Sequence, residues 1–219
     1  GADFIKIYAD YRWGINGEDQ PSFTLEELKM INEVTRSSGR DMVCHAKSKE
    51  AIKRAVLGGA VTIEHGDFID VELGKLMKEH NVTYIPTISA VDVISQYRGW
   101  QKGKAPEPAN VTNKKKSFKE AIASGVSIGM GGDVGVYPHG ENALEMELMV
   151  EYGMKPLDVL KSATSVNSRA FHLENKVGFI REGLTADLVI VTGNPSNTIS
   201  DVRKVQFVMK DGTVYRNEK

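Results

Sequence analysis

Short apolar runs alternate with amphipathic segments along most of the chain. Each run is too short for a helix and is bounded by turn residues, which is typical of a buried strand. Five such runs predict strands at Phe4–Tyr8, Met42–His45, Val61–His65, Val82–Thr87 and Val126–Gly131. The segments between them carry apolar residues at helical spacing, and Thr24 and Ser48 are the predicted N-caps of the first two helices. Strands that alternate with helices predict an α/β fold with a parallel sheet.

The pattern changes after Gly178. Three further runs predict strands at Leu184–Val191, Val205–Lys210 and Thr213–Tyr215, and Asp211-Gly212 between the last two is a strong hairpin signal. No helical pattern separates these strands, so they predict a small antiparallel tail. We therefore expect two parts, residues 1–177 and residues 178–219.

Two segments interrupt the simple alternation. Ser89–Asn110 contains Trp100, Gly103 and two prolines, and it predicts an irregular insertion. A helix is expected from about Thr112 to Ser124, and its lysine run, Lys114–Lys116, is typical of a solvated helix face.

Composition excludes several classes of protein. The 28 basic and 29 acidic residues give a formal charge of −1, which argues against a nucleic-acid partner. No apolar run approaches the length of a membrane span. The single cysteine, Cys44, excludes an internal disulfide, and strand alternation predicts that it faces the core. No residue pattern indicates a cellular location.

Candidate chemistry lies in or at the ends of four predicted strands. Lys6, His45, His65 and Asp133 each have a common structural explanation when taken alone, as an edge charge, a core histidine or a turn residue. Parallel strands bring their carboxyl ends to one rim, and two imidazoles with one carboxylate there would suit zinc or a similar divalent ion. The pattern leaves the metal site and the structural explanation equally open.

The motifs around these residues resemble the amidohydrolase superfamily. Phe4-Ile-Lys6-Ile, Cys44-His45-Ala, Ile63-Glu-His65-Gly and Gly131-Gly-Asp133 are similar to barrel strands four, five, six and eight of that family. The segment from Gly178 to Tyr215 resembles the part that returns to the family's β-sandwich. The resemblance implies a partial TIM (β/α)8 barrel with the C-terminal strands of a small β-sandwich. Tyr137-Pro-His139-Gly, with Lys6, is similar to the imidazolonepropionase-related branch that contains prolidase-type dipeptidases.

The resemblance also implies a metal site. Lys6, carboxylated to a carbamate, would bridge two divalent ions, with His45 and His65 on one ion and Asp133 on the other. A metal-bound hydroxide would attack an amide carbonyl, and Asp133 would carry the proton to the leaving amine. The implied cofactor is zinc, as one or two ions.

Four further residues are expected on the same rim, as contacts for the carboxylate or carbonyl of a small-molecule or dipeptide substrate. These candidate substrate-binding residues are Tyr8, Tyr11, Arg12 and His139. A solvated loop position is an equally good explanation for Arg12.

The sequence departs from the family pattern at its start. It contains no His-x-His pair, which the family carries on its first strand, and its first predicted strand corresponds to strand four. We therefore expect an N-terminal segment to be a missing partner, and we expect the chain to be inactive alone. Association with further copies of the chain is left open.

Two alternatives stay open beside the dipeptidase-like enzyme. The same fold could serve a cyclic-amide hydrolase or a deaminase that uses one metal ion. The chain could also be a non-catalytic remnant that retains the histidines without their metal.

Overall fold

The structure is a computed structural model, and it describes residues 1–218. The chain packs into two compact units, Gly1–Ile128 and a second unit that starts at Gly129. The predicted boundary after residue 177 marks the change to antiparallel strands and stays a prediction.

The first unit alternates strands and helices. Its strands are β1 (Phe4–Tyr8), β2 (Asp10–Tyr11), β3 (Gln20–Pro21), β4 (Asp41–Ala46), β5 (Thr62–His65) and β6 (Thr83–Ile85). Its helices are α1 (Leu25–Ser37), α2 (Lys49–Leu57), α3 (Val71–Glu79), α4 (Ile88–Tyr97) and α5 (Ala109–Ser124). Strands β1, β4, β5 and β6 form a parallel sheet in that order, which confirms the predicted α/β fold with a parallel sheet.

Local sequence signals explain why the first helices begin where they do. Thr24 and Glu27 form a capping box at the start of α1, in which the Glu27 amide donates to Thr24 Oγ1 and the Thr24 amide donates to the Glu27 carboxylate. The Ser48 hydroxyl caps α2 by accepting from the Ala51 amide. Both caps were predicted, and both are confirmed.

The sheet has two chemically different faces. Met42, Cys44 and Ile63 are fully buried apolar side chains, and they alternate along β4 and β5 with residues of the opposite face. Parallel pairing places His45 beside Glu64 and Lys6 beside Val43 on that opposite face. One face therefore forms the core, as predicted for Cys44, and the other collects the polar candidates.

Strand β1 lies at one edge of this sheet. Within residues 1–218 it pairs only with β4, and Phe4 and Tyr8 are 44% and 55% exposed.

The predicted irregular insertion is partly wrong, because residues 88–97 form helix α4. Its N-cap residue, Thr87, has a left-handed backbone (φ +48°) and gives the helix no side-chain cap. The Thr87 hydroxyl contacts His65 instead. The hydroxyl of a residue type that commonly caps helices is thus used elsewhere, and burial of residues such as Ile88 and Ala90 stabilises the helix.

The predicted strand at Val126–Gly131 is also wrong as a regular strand. Only Ile128 forms a parallel bridge, with Tyr84. The backbone of Met130 is paired with a side chain, because its amide donates to Asn167 Oδ1 (3.1 Å) and its carbonyl accepts from Asn167 Nδ2 (2.7 Å). These side-chain bonds take the place of a strand ladder.

The interpretation of Lys114–Lys116 as a solvated helix face is wrong for its first residue. Lys114 is fully buried, whereas Lys116 is 75% exposed and pairs with Glu120 one turn away.

The second unit combines short helices with an antiparallel sheet. Its elements are α6 (Ala143–Glu151), α7 (Pro156–Lys161), a π-helical turn (Ser162–Val166), α8 (Asn167–Ala170), β7 (Leu188–Val191), a 3₁₀ turn (Ile199–Arg203), β8 (Val205–Lys210) and β9 (Thr213–Asn217). Strands β7, β8 and β9 pair antiparallel in that order. The predicted hairpin is confirmed at Asp211 and Gly212, which both have positive φ as a two-residue hairpin turn requires.

None of the helices in the described part of the chain has the length and apolar character needed to cross a membrane.

Candidate active site

The candidate site of the first unit is built on a pair of histidines at the carboxyl ends of adjacent strands. His45 lies near the end of β4, and His65 is the last residue of β5. Their rings meet edge to face, with 4.3 Å between centroids. The sheet thus brings together two residues that are twenty positions apart in the sequence.

Burial keeps both imidazoles neutral at physiological pH. It lowers the pKa of His45 to about 4, and the positive charges of Lys47 and Lys6 act in the same direction. Burial also lowers the pKa of His65 to about 2, with His45 and Lys114 as further causes. A neutral imidazole has a free nitrogen lone pair, which is the form that binds a metal ion.

Each imidazole has one nitrogen near the oxygen of a neighbouring side chain. His45 Nε2 lies 3.5 Å from Asp10 Oδ1, and His65 Nδ1 lies 2.7 Å from Thr87 Oγ1. A ligating histidine is usually oriented in this way by a partner on its other nitrogen. The arrangement leaves Nδ1 of His45 and Nε2 of His65 for a ligand.

Asp10 is held in place by the backbone that follows β4. Its Oδ2 accepts from the amides of Lys47 (2.8 Å) and Ser48 (2.6 Å), and the residue is completely buried. Burial raises the pKa of Asp10, and the two backbone hydrogen bonds oppose that rise. Oδ1 makes no hydrogen bond within residues 1–218, and it lies 3.5 Å from His45 Nε2.

Lys6 and Tyr8 lie on the polar face of β1. Lys6 Nζ is 2.5 Å from Glu64 Oε2, and the lysine side chain is 37% exposed. The ring of Tyr8 stacks on His45 with 4.5 Å between centroids. The structure therefore brings Lys6, Tyr8 and the two histidines to one end of the sheet, with Lys6 in an ion pair that the sequence did not predict.

Two other candidates lie on the small hairpin formed by β2 and β3. Tyr11 is 62% exposed, and the Arg12 side chain is 57% exposed. Arg12 Nε is 4.0 Å from Asp19 Oδ1, which is a loose ion pair. Both side chains are free to reorient toward a ligand.

Asp133 and His139 belong to the second unit, and both are exposed. Asp133 has a left-handed backbone (φ +57°), which is uncommon outside glycine. Asn167 fixes the backbone at Met130, three residues before Asp133. The roles of Asp133 and His139 stay predictions.

No cluster of three or more His, Cys, Asp or Glu side chains that could hold a metal ion is present among residues 1–218. The chemistry of the histidine pair nevertheless fits a divalent ion, because both rings are neutral, adjacent and oriented. Lys6 fits only after its pair with Glu64 opens, since a carbamate is an anion and would be repelled by that carboxylate.

Sequence reasoning missed the residues that orient the histidines. Asp10 follows β1 at the start of a polar loop, and Thr87 follows Pro86, so both have the composition of ordinary turn residues. Glu64 immediately precedes His65, and strand alternation together with sheet register could have placed it beside His45.

Several known proteins resemble this chain in sequence and in fold. An ochratoxinase from Aspergillus niger is 31% identical over 236 residues, which cover 99% of this chain and 47% of that protein. The crystal structure of a Xaa-Pro dipeptidase with bound methionine in the active site is 35% identical, with a TM-score of 0.88 over 99% of this chain and 55% of that one. The A. niger ochratoxinase structure is 30% identical, with a TM-score of 0.86 over 99% of this chain and 52% of that one.

The chain spans about half the length of these relatives. The amidohydrolase family description matches residues 1–215, nearly the whole chain. With the parallel sheet and its paired histidines, this match shows that the chain belongs to the amidohydrolase family.

Proposed function

We propose that this chain is part of a metal-dependent hydrolase that cleaves amide bonds in dipeptides of the prolidase type. The proposal concerns the whole protein's activity, because residues 1–219 span only about half the length of the relatives. In it, β1, β4 and β5 are barrel strands four to six, the segment before Asp133 is strand eight, and β7 to β9 belong to a β-sandwich.

One observation carries the proposal. His45 and His65 are neutral, their rings are in contact, and one nitrogen of each lies near a side-chain oxygen, Asp10 Oδ1 for His45 and Thr87 Oγ1 for His65. Two histidines with only a structural role would not need to lie so close together at the ends of adjacent strands. The arrangement is what a pair of metal ligands requires.

His45, His65, Lys6 and Asp133 are the proposed ligands, with Lys6 as a carbamate. A bound divalent ion would polarise the amide carbonyl and lower the pKa of water. Carbamate formation requires Lys6 to lose its proton, and Glu64 is placed to accept it at 2.5 Å. Release of Glu64 from Lys6 is therefore part of the assembly of the site.

The remaining roles concern this chain's own side chains. Asp133 would accept the proton from the attacking water and deliver it to the leaving amine. Arg12, only loosely paired with Asp19, would bind the dipeptide carboxylate through its planar fork of donors. Tyr8, stacked on His45, would close one side of the substrate pocket, with Tyr11 and His139 as further contacts.

The experiment uses the full-length protein that contains this chain. Its zinc and other divalent metals are counted per chain, and hydrolysis of Xaa-Pro dipeptides is followed by release of proline. We expect His45→Asn to lower the activity by more than about 100-fold, beyond the loss typical of an outer-shell partner. His80→Asn, at an exposed histidine, is the matched control and should leave activity unchanged.

The outcomes separate the alternatives. Two metals per chain with a carbon dioxide adduct on Lys6 support the dipeptidase-like site. One metal with unmodified Lys6 favours a cyclic-amide hydrolase or a deaminase. A full-length protein that binds no metal and cleaves no C–N bond contradicts the proposal and supports a non-catalytic remnant.

A further inference from the structure

Lys114 is a buried cation that the proposed reaction does not use. It lies on α5, the side chain has 0% exposure, and Nζ is 2.7 Å from Asp67 Oδ1. A second donor bond from Nζ reaches the backbone carbonyl of His65. Because a buried charge is costly unless it is paired and hydrogen-bonded, this position needs an explanation beyond helix packing.

The bond to His65 acts on an unusual backbone. His65 has φ +71°, a left-handed conformation that costs a non-glycine residue about 1–3 kcal/mol. Its carbonyl accepts from two side chains, the Lys114 ammonium and the Tyr84 hydroxyl (2.9 Å). Such a conformation persists only where the surroundings over-determine it, and these two donors do so.

The backbone conformation decides where the imidazole points. β5 ends at His65, and the left-handed turn directs the ring toward His45 and lets Nδ1 meet Thr87 Oγ1. With a normal strand backbone, the side chain would follow the alternation of β5 and leave both contacts. By holding the His65 carbonyl, Lys114 and Tyr84 therefore fix the orientation of the His65 imidazole through its backbone.

Helix α5 is anchored to the same loop at a second point. Ser117, three residues after Lys114, donates to the backbone carbonyl of Asp67 (2.7 Å). Lys114 and Ser117 therefore lie on one face of α5 and both bind the turn that follows β5. This second contact keeps the Lys114 side chain aimed at His65.

We propose that Lys114 is a positioning residue for metal binding, which fixes the strained backbone of His65 so that its imidazole faces a metal shared with His45. The inference rests on the proposed function for its metal. The competing explanation is a purely structural ion pair between Lys114 and Asp67. The two explanations predict different zinc affinities for a variant that loses the ion pair with Asp67 but keeps the bond from Lys114 to the His65 carbonyl.

The test uses three variants of the full-length protein. Lys114→Met combined with Asp67→Asn removes the donor to His65 and leaves no unpaired charge. Asp67→Asn alone breaks the ion pair but leaves Lys114 on the His65 carbonyl. Lys116→Met, two residues along the same helix and 75% exposed, is the matched control.

Two readouts are measured on folded samples. Zinc affinity is determined by competition with a chelator, and the ring nitrogen signals of His65 are recorded by NMR on metal-free protein. We expect the double variant to bind zinc 10- to 100-fold more weakly and to shift the His65 ring signals. Asp67→Asn should change zinc affinity by less than about threefold. Loss of the Lys114–Asp67 ion pair would lower the stability of this variant, but the bond from Lys114 to His65 would remain.

A folded double variant with wild-type zinc affinity and wild-type ring signals would overturn the proposal, as would an equal loss of zinc affinity in Asp67→Asn. If the double variant does not fold, Lys114→Gln replaces it, because its shorter side chain cannot reach the carbonyl. If the wild-type protein binds no zinc, the proposed function fails, and the ring signals alone decide the role of Lys114.

Discussion

Side chains that contact the histidines, rather than the histidines themselves, define the site at the residue scale. Asp10, Thr87 and Lys114 lie on three different elements or loops, and each contacts His45 or His65. Their separation in sequence is large, so no local motif could reveal them. The histidines were predictable because strand ends in parallel sheets meet at one rim, whereas their partners depend on tertiary packing.

Asp10 provides the sharpest residue-scale prediction. In Asp10→Ala the amides of Lys47 and Ser48 lose their acceptor, and the free energy of unfolding should fall by about 1–3 kcal/mol. Urea denaturation followed by circular dichroism measures the change. Asp19→Ala is the control, since its loose surface pair with Arg12 contributes at most about 1 kcal/mol. Equal losses in both variants would contradict a specific role for Asp10.

At the element scale, helix caps are the features that could be read most directly from the sequence, because they determine where a helix begins. Thr24 and Ser48 start α1 and α2 as predicted, because a cap depends only on residues within one turn. Helix α4 was missed because the Thr87 hydroxyl that could have capped it is used by His65. Lys114 was misjudged because a lysine run gives no sign that one member reaches a buried carbonyl.

The capping box of α1 predicts a measurable loss of stability. Thr24→Ala removes the acceptor of the Glu27 amide and should lower the free energy of unfolding by about 1 kcal/mol. Glu26→Ala, in the same helical turn but outside the box, should lower it by less, about 0.3–1 kcal/mol through the helix dipole alone. Chemical denaturation measures the free energy of unfolding of both variants. A larger loss in Glu26→Ala than in Thr24→Ala would contradict the role of the capping box.

The same box predicts a pH dependence. Hydrogen bonds from the backbone and hydroxyl of Thr24 lower the pKa of Glu27 below its ordinary value. A carboxyl with a lowered folded-state pKa stabilises the fold above the unfolded pKa, and this contribution is lost as pH falls through the folded value. The stability difference between wild type and Glu27→Gln should therefore be present at pH 7 and disappear in acid.

That difference is measured by denaturation at a series of pH values. Glutamine can still accept from the Thr24 amide, so the comparison isolates the charge. A difference that stays constant from pH 7 to pH 3 would show that the Glu27 charge does not contribute.

At the scale of the whole molecule, the fold class was predictable and the closure of the sheet was not. Alternating strand and helix patterns predict the parallel sheet that β1, β4, β5 and β6 form. The segment before Asp133 was expected to be a full strand, but Asn167 takes the hydrogen bonds of Met130. A side chain thirty-seven residues away cannot be identified as a backbone partner from periodicity.

The open edge at β1 leads to a prediction for residues 1–219 produced alone. Strand β1 pairs on one side only within the described residues, and Lys6 beside it is 37% exposed. Water can then compete for the polar face that carries the histidines. We expect residues 1–219 produced alone to hydrolyse no Xaa-Pro dipeptide.

Proline release by the segment alone is the measurement, and a sample with added bovine serum albumin is the control for nonspecific stabilisation. Full activity of the segment alone would contradict the expectation.

The left-handed backbone of His65 has a consequence for evolution. Glycine and asparagine adopt that conformation at lower cost, so a protein selected only to fold would gain stability by replacing the histidine. With His65 as a metal ligand, as proposed above, function and stability would compete at this position. A lineage that lost the metal would then be expected to replace His65 early.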